Sequence, residues 1–374
     1  MPILDLTDSE AVARYEEFVA TSRYGHVMQS VNWAKVKNNW DSDYVYLEDD
    51  AGNITAALSI LSVKNDGSHA FMYAPRGPVC DFKDIDTVKA LVEEAAAVIE
   101  KRNGFVLRMD PEFAYDEEVL ANYRNARIAN LVITTRGVDE HRFSNPRMHM
   151  IADISMGAHD EFLKTVKSKN KCKIKVPYKH GLETLRFHRG DPGFEQALDK
   201  FYELTKIMAK RQGITYRPKD YFVRLFNAFP PPAVTLYETR TPEQEVLSCA
   251  IALGFNRKCF YIYAASSNEK RNLRPSHQMN NEAIKDAIDH GYTQYDMGGI
   301  YEIDNSGGLY SFKKAFCGEG GLLEMIGQFD WVYDSDMYKE FSKLLENARY
   351  FPCAHARLGA NTLNTSISSH LSTR

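Results

Sequence analysis

The sequence predicts a mixed α/β (α+β) protein built from two copies of one domain, because one order of segments occurs twice. Each copy is a hairpin, a strand, a helix and a final strand; the strands lie at 44–61, 71–74 and 105–110, and again at 233–253, 260–264 and 292–296. Each final strand ends on an acid, Asp110 in the first copy and Asp296 in the second. An internal duplication of this kind predicts two similar domains that face each other across a cleft.

Apolar periodicity predicts the helices of the first half. A helix over 8–21 and a second over 28–40 precede the first hairpin. The clearest helix covers 86–103, with Asp86 as its cap and Gly104 as its end.

The second half contains its own elements and then returns to the first domain. The predicted elements are a helix over 158–176 that Pro177 ends, a helix over 276–290 that Ser276 caps, an exit segment over 307–316, a strand over 322–333 and a helix over 336–348. The loop-rich stretch 141–147 marks the boundary. We therefore expect a first domain over 1–147, completed by 326–350, and a second over 148–325. The Ser/Thr/Asn-rich tail 351–374 is predicted to be disordered.

Composition excludes several classes of protein. A chain of 374 residues with 44% apolar and 26% charged residues suits two globular domains. A net charge of −4 argues against a protein that coats nucleic acid, although it permits a local basic patch. No apolar run approaches the ~18 residues of a membrane span, and no signal peptide is expected. The six cysteines lack metal-ligand spacing, so we expect reduced thiols, no metal and a cytoplasmic location.

Seven segments carry a resemblance that extends in order from Met1 to about Lys343. They are Trp33–Trp40, Leu107–Glu112, Lys173–Lys175, Gly213–Phe222, Tyr261–Ala264, Asp296–Ile300 and Leu309–Phe316. These segments resemble the Fem family of peptidoglycan bridge-forming aminoacyltransferases, FemX type. The resemblance implies two GNAT-like (N-acetyltransferase-like) domains with the acceptor in the cleft between them. The chain has no sustained heptads, so we expect no coiled-coil arm.

The resemblance also implies a reaction and its partners. An amino acid, L-alanine for the FemX type, moves from aminoacyl-tRNA to the side-chain amine of Lys at position 3 of UDP-MurNAc-pentapeptide. The tRNA ester is already activated, so no cofactor is required; the protein must hold two polyanions and stabilise one oxyanion. Serine or glycine donors and a lipid-linked acceptor stay open. The protein is expected to act as a monomer.

Phosphate binding is assigned to Lys37 and Arg217. In FemX-like proteins the matching positions bind the diphosphate of the acceptor. Pro218 biases Arg217 toward an extended backbone that can project its guanidinium. Thr215 can add a hydroxyl to a phosphate. The alternative for both cations is an exposed surface side chain.

Catalysis is assigned to Lys313 and Asp110. The resemblance gives Lys313 the family's functional lysine, where it stabilises the oxyanion or orients the tRNA end; the alternative is that Lys313 and Lys314 form an exposed pair. Family position puts Asp110 near the acceptor amine. An amine of pKa ~10.4 beside an acid of pKa ~3.9 favours an anchor for the ammonium, with a role in proton removal left open. The alternative pairs Asp110 with Arg108.

Aromatic residues are expected to line the same cleft, and a basic helix to meet tRNA. Tyr261 and Tyr263 lie two apart on a strand, hence on one face, and Tyr221 and Phe312 join them. Lys171 and Lys175 belong to a helical stripe with Lys164 and Lys167 that we expect to contact tRNA phosphates. The alternative is a solvated helix face.

Two rival functions remain. An acetyl-CoA-dependent N-acetyltransferase needs a glycine-rich loop before a helix, and residues 268–276 contain no glycine. A non-enzymatic tRNA-binding module fits the acidic net charge poorly.

Overall fold

The computed structural model describes residues 3–64, 67–135, 143–304 and 308–348. The chain divides into two compact units. The first is Met1–Arg147 with Glu324–Arg374, and the second is Met148–Leu323. The tail 351–374 and residues 141–142 of the predicted boundary loop lie outside the described residues.

The first unit is built on a six-stranded sheet. Its strands are β1 (Asp41–Glu48), β2 (Ile54–Lys64), β3 (Ala70–Arg76), β4 (Gly104–Pro111), β5 (Leu131–Thr134) and β13 (Gln328–Val332), in the order β1-β2-β3-β4-β13-β5. β3 and β4 are parallel and the other neighbours are antiparallel. Strand β13, from near the end of the described chain, is therefore an interior strand of this sheet, between β4 and the edge strand β5.

Helices pack against this sheet, and two of them differ from expectation. They are α1 (Ser9–Thr21), α2 (Val31–Val36), α3 (Ile85–Glu94), α4 (Ala96–Arg102), α5 (Glu117–Asn125) and α12 (Ser335–Ala348). The predicted helix 28–40 is instead a 3₁₀ turn at Val27–Gln29 followed by α2, because the Ser30 hydroxyl accepts from the Trp33 N–H and starts a new helix there. The predicted helix 86–103 is interrupted at Ala95, and Asp84 rather than Asp86 caps it.

The second unit contains a seven-stranded sheet. Its strands are β6 (Met148–Asp153), β7 (Glu183–Phe187), β8 (Val234–Arg240), β9 (Val246–Phe255), β10 (Lys258–Ser266), β11 (Gln294–Ile300) and β12 (Leu322–Glu324), in the order β12-β6-β11-β10-β9-β8-β7. Three antiparallel strands, a helix and a parallel strand follow each other here as in the first unit. The duplication read from the sequence is thus present in both sheets.

The helices of the second unit are α6 (His159–Thr165), α7 (Ser168–Lys179), α8 (Phe194–Gln212), α9 (Lys219–Ala228), α10 (Pro275–Asp289) and α11 (Leu309–Cys317). The single helix predicted over 158–176 was wrong, because Val166 and Lys167 are extended and Pro177 lies inside α7. Pro275 is the first residue of α10, so Ser276 is not its cap. In the described part of the chain no helix combines the length and the apolar character of a membrane span.

Two further corrections concern the end of the second unit. The strand predicted over 322–333 is two strands in different sheets, β12 and β13, separated by Gly327 with φ of 126°. The exit segment 307–316, described from residue 308, is mostly helical, because α11 begins at Leu309 and ends one residue beyond the segment, at Cys317.

The two acids of the repeat do not occupy matching places. Asp110 lies opposite Pro75 near the end of β4. Asp296 lies opposite Phe260, three residues into β11, and that strand continues to Ile300. The strand register therefore separates two residues that the sequence pattern had aligned.

Candidate functional site

Lys313 is a buried lysine on α11. Only 6% of its surface is exposed, and its Nζ donates a hydrogen bond of 2.7 Å to the Gly299 carbonyl. Burial lowers its pKa to about 8, although the neighbouring Asp296 acts in the opposite direction. The alternative of an exposed lysine pair is wrong, since Lys314 forms a separate ion pair of 2.7 Å with Glu319.

A bulge in β11 presents the carbonyl that Lys313 binds. The register of β11 against β6 shifts between Asp296 and Gly299, and Gly298 has φ of 80°. A Cβ placed on Gly298 would lie 3.7 Å from the Lys313 Nζ. Both glycines thus belong to the surroundings of the lysine, one through its conformation and one through its carbonyl.

Asp296 lies at the centre of this arrangement. It is 2% exposed, its Oδ1 accepts from the Gly298 N–H at 2.7 Å, and both carboxylate oxygens lie 3.2 Å from Nδ1 of His149. Burial alone would raise the pKa of Asp296, but His149, Lys258 and the Gly298 N–H lower it well below its usual range. From the sequence, Asp296 was only the acid at the end of the second repeat, and His149 was not found, because it meets Asp296 through the pairing of β6 with β11.

Tyr221, Tyr263 and Arg217 form a second cluster. The two phenol oxygens are 2.8 Å apart, and the Arg217 guanidinium lies 5.4 Å from the centre of the Tyr221 ring. Burial raises the pKa of both tyrosines, so both are neutral hydrogen-bonding groups. Arg217 and Thr215 are exposed in the segment that leads into α9.

Tyr261 does not share a face with Tyr263, contrary to expectation. A bulge between the two residues shifts the register of β10 against β9. Tyr261 therefore packs against the core beneath α10, 6.3 Å from the ring of Tyr295, whereas Tyr263 packs on Phe222 of α9. The period-two rule failed because one extra residue reverses the alternation.

Phe312 packs beside Lys313 on α11. Its ring lies 5.2 Å from that of His277 and 5.8 Å from that of Phe316. Burial, with Arg274 and Lys173 nearby, lowers the pKa of His277 to about 4, so the imidazole is neutral at pH 7.

The predicted lysine stripe is shorter than expected. Lys171 and Lys175 lie one turn apart on α7, and Lys175 is exposed. Lys164 belongs to α6, and Lys167 precedes α7 and forms an ion pair of 2.6 Å with Glu319. The break at residues 166 and 167 thus removes two of the four lysines from the stripe.

In the first unit, Asp110 is 3% exposed and surrounded by donors. Oδ2 accepts from the Tyr73 hydroxyl at 2.5 Å and the Asn145 N–H at 2.6 Å, and Oδ1 accepts from the Arg76 N–H at 2.7 Å. The alternative pairing with Arg108 was wrong, because Arg108 binds Asp330. Tyr73, Arg76 and Asn145 were not found from the sequence, since they meet Asp110 through strand pairing and a loop.

Lys37 follows the last turn of α2 in the first unit. Its Nζ lies 5.4 Å from the centre of the Trp33 ring. Trp40, the other flanking tryptophan, packs against Phe71 at 6.3 Å. One tryptophan thus contacts the lysine and the other belongs to the core.

Within the described residues, no group of three His, Cys, Asp or Glu side chains is placed to hold a metal ion. The chemistry available in the second unit is a buried ammonium that is hydrogen-bonded to the Gly299 carbonyl and lies in the electrostatic field of the Asp296 carboxylate. Such a cation is suited to stabilise negative charge that develops on a substrate oxygen.

Comparison with known proteins places the chain among transferases. The chain is 38% identical over 344 residues to the UDP-N-acetylmuramoylpentapeptide-lysine N(6)-alanyltransferase of Weissella viridescens, with 92% of this chain and 100% of that protein covered. It is 25% identical to a lipid II:glycine glycyltransferase of Staphylococcus epidermidis, with 88% and 94% covered. The relatives are transferases.

Solved structures confirm the fold class. The crystal structure of FemX matches with a TM-score of 0.78 at 22% identity, covering 91% of this chain and 99% of that one. A tandem GNAT protein from the clavulanic acid biosynthesis pathway matches with a TM-score of 0.52 at 13% identity, covering 88% and 97%. The FemAB family model matches residues 11–237 and 233–346. The chain therefore belongs to the FemAB family.

Proposed function

We propose that this protein is an aminoacyltransferase that adds an amino acid to the side-chain amine of Lys at position 3 of UDP-MurNAc-pentapeptide, which begins the peptidoglycan interpeptide bridge. The observation that carries the proposal is the match to the Weissella alanyltransferase, which extends over that protein's whole length. The buried Lys313 supports the same chemistry, since acyl transfer creates an oxyanion that a fixed cation stabilises.

The relatives favour a UDP-linked acceptor over a lipid-linked one. The relative whose name specifies the UDP-linked pentapeptide is 38% identical, whereas the glycyltransferase named for lipid II is 25% identical. By the same argument L-alanine is the proposed amino acid. We propose alanyl-tRNA as its donor, and a monomer that acts in the cytoplasm, where both proposed substrates occur.

The proposed reaction needs no group beyond the two substrates and the protein. The acceptor nitrogen attacks the ester carbonyl, the C–N bond forms, and the carbonyl oxygen becomes an oxyanion. The C–O bond to the tRNA ribose then breaks, and the ribose oxygen takes up a proton released by the amine. We assign Lys313 to the oxyanion, and Phe312 to packing beside the donor ester.

Other residues are proposed to bind the substrates. Arg217 and Thr215, exposed before α9, suit contacts with phosphate oxygens, and the neutral pair Tyr221–Tyr263 offers hydroxyls to a polar group nearby. Lys37 in the first unit is proposed to bind phosphate as well. Tyr261 faces the core beneath α10, so its proposed contribution is to support β10.

Purified protein, UDP-MurNAc-pentapeptide and tRNAs charged one by one with Ala, Ser and Gly test the proposal. We expect alanine to be transferred fastest, with the product mass increased by one alanyl residue on the lysine. Lys313→Ala should lower kcat by about 10²–10³-fold with little change in either KM. Lys314→Ala is the matched control, because Lys314 pairs with Glu319 at the surface of the same helix.

The same assay decides between the rival functions. Acetylation of an amine by acetyl-CoA would favour an N-acetyltransferase, although the segment before α10 offers Lys270 and Arg274 with positive φ in place of glycines. Binding of tRNA without any transfer would favour a non-enzymatic module. Either result, or an unchanged kcat in Lys313→Ala, would contradict the proposed function or the proposed role of the lysine.

A further inference from the structure

Asp296 is a buried acid that the proposed reaction does not use directly. Charged or titratable side chains from three elements lie around it: His149 of β6, Lys258 of β10 and Lys313 of α11. Lys258 is 7% exposed and Lys313 is 6% exposed. The desolvation of a buried carboxylate costs free energy unless hydrogen bonds and opposite charges compensate it.

We propose that Asp296 is a positioning residue for catalysis, whose carboxylate fixes the ammonium of Lys313 through the Gly298-Gly299 bulge and supplies its counter-charge. This inference rests on the proposed role of Lys313 in acyl transfer. Asp296 itself is not proposed to touch a substrate.

The geometry connects the two side chains in two hydrogen-bonded steps. The Asp296 carboxylate accepts from the Gly298 N–H at 2.7 Å, which holds the bulge in β11. The bulge turns the Gly299 carbonyl toward α11, where it accepts from Lys313 Nζ at 2.7 Å. The Lys313 side chain is thus held at its charged end, as an oxyanion-stabilising cation must be before the reaction begins.

The negative charge of Asp296 has an effect on Lys313 that is separate from its hydrogen bond to the bulge. The Gly298 N–H needs only an acceptor oxygen, which an asparagine would also supply. Burial favours the neutral amine of Lys313, and the negative charge of Asp296 opposes that effect. The carboxylate therefore keeps the lysine cationic at a pH where burial alone would begin to remove its proton.

His149 orients this carboxylate from the other side. Its Nδ1 lies 3.2 Å from both oxygens, in the strand that pairs with the bulge. The remaining titratable group beside the lysine is the Cys317 thiol, one turn further along α11, whose pKa burial raises. At pH 7 to 9 that thiol is neutral, so Asp296 is the anion that acts on Lys313.

Asp296→Asn separates the charge from the hydrogen bond. We expect the alkaline limb of the pH–kcat profile to move down by about one pH unit, which lowers kcat about 3-fold at pH 7.5 and about 10-fold at pH 9, while both KM values stay within about 2-fold. Lowering the pH should therefore recover part of the lost rate relative to the parent protein. Cys317→Ala is the control and should leave that limb in place.

A titration that does not depend on transfer separates this proposal from the proposed function. ¹³C NMR of lysine Cε, with the Lys313 signal assigned by its loss in Lys313→Met, gives the pKa of Lys313 in the parent and in Asp296→Asn. A lower pKa in the variant supports the proposal even if the assay detects no transfer. An unchanged pKa, or a rate loss that is equal at every pH, would reduce Asp296 to a purely structural residue and overturn the proposal.

Discussion

At the residue scale, the burial of Lys313 should cost stability. Below pH 8 the side chain is charged in both the folded and the unfolded state, and the folded state lacks the water that solvates it. The lowered pKa means that the charged form of Lys313 is disfavoured in the folded state even with Asp296 nearby, so we predict that Lys313→Met raises the free energy of unfolding of the second unit by about 1–3 kcal/mol at pH 7 while it lowers kcat as Lys313→Ala does. Because the lowered pKa makes the parent protein gain stability as pH rises from 8 toward 10.5, the difference should shrink over that range. Circular dichroism in urea at pH 7 and pH 10 measures both, and a variant less stable than the parent at pH 7 would contradict the prediction.

Asp110 is a buried acid whose carboxylate already accepts hydrogen bonds from the protein. Tyr73, Arg76 and both nitrogens of Asn145 donate to its two oxygens, so an ammonium would have to compete with these donors for the carboxylate. We predict that Asp110→Asn lowers the free energy of unfolding of the first unit by about 1–3 kcal/mol and changes kcat by less than about 10-fold. Tyr73→Phe, which removes one donor and keeps the acid, should give a smaller loss of the same kind. A 100-fold fall in kcat at unchanged stability would instead restore Asp110 as the anchor of the acceptor amine.

At the element scale, the sequence predicted periodic segments well and irregular ones poorly. The repeated hairpins, α1 and α12 follow from apolar spacing. The break between α6 and α7 did not, because Val166 and Lys167 fit a helical pattern although they are extended. The bulges in β10 and β11 could not be predicted either. One inserted residue moves the following side chains to the other face of the sheet, and the amino-acid composition gives no sign of it. The position of Lys313 relative to Asp296 depends on such a bulge and could not be predicted.

The helix α7 leads to a prediction about the donor. Lys171 and Lys175 lie on one face of α7, the fragment of the predicted stripe that remains. If they meet tRNA phosphates, Lys171→Glu/Lys175→Glu should raise the KM for alanyl-tRNA at least 10-fold and weaken its dependence on salt concentration. Lys200→Glu/Lys206→Glu on α8 makes the same change in net charge and should leave that KM within about 2-fold. Equal KM values in the two double variants would show that the α7 lysines form a solvent-exposed helix face and do not contact tRNA.

At the scale of the whole chain, the first unit is completed by residues that follow the second. Strand β13 lies between β4 and β5, and α12 follows it. Arg108 of β4 and Asp330 of β13 form a buried ion pair of 2.8 Å across a separation of 222 residues. Gln328 and Tyr338 donate to the same carboxylate at 2.9 and 2.8 Å. These buried contacts favour the pairing of β13 with β4 in this register, because a shifted register would leave Arg108 and Asp330 buried without each other.

Breaking this pair should unfold the first unit selectively. We predict that Arg108→Met and Asp330→Asn each lower its free energy of unfolding by about 3–5 kcal/mol, since each leaves one buried charge alone. The double variant should lose less than the sum, because neither charge remains. All three tryptophans, Trp33, Trp40 and Trp331, belong to the first unit, so their fluorescence in urea reports the unfolding of this unit specifically.

Lys339→Met is the control, because it removes only an exposed ion pair with Asp336 on α12. It should change the free energy of unfolding of the first unit by less than about 0.5 kcal/mol. Additive losses in the double variant would mean that the two charges act independently and that packing alone determines the pairing of β13 with β4.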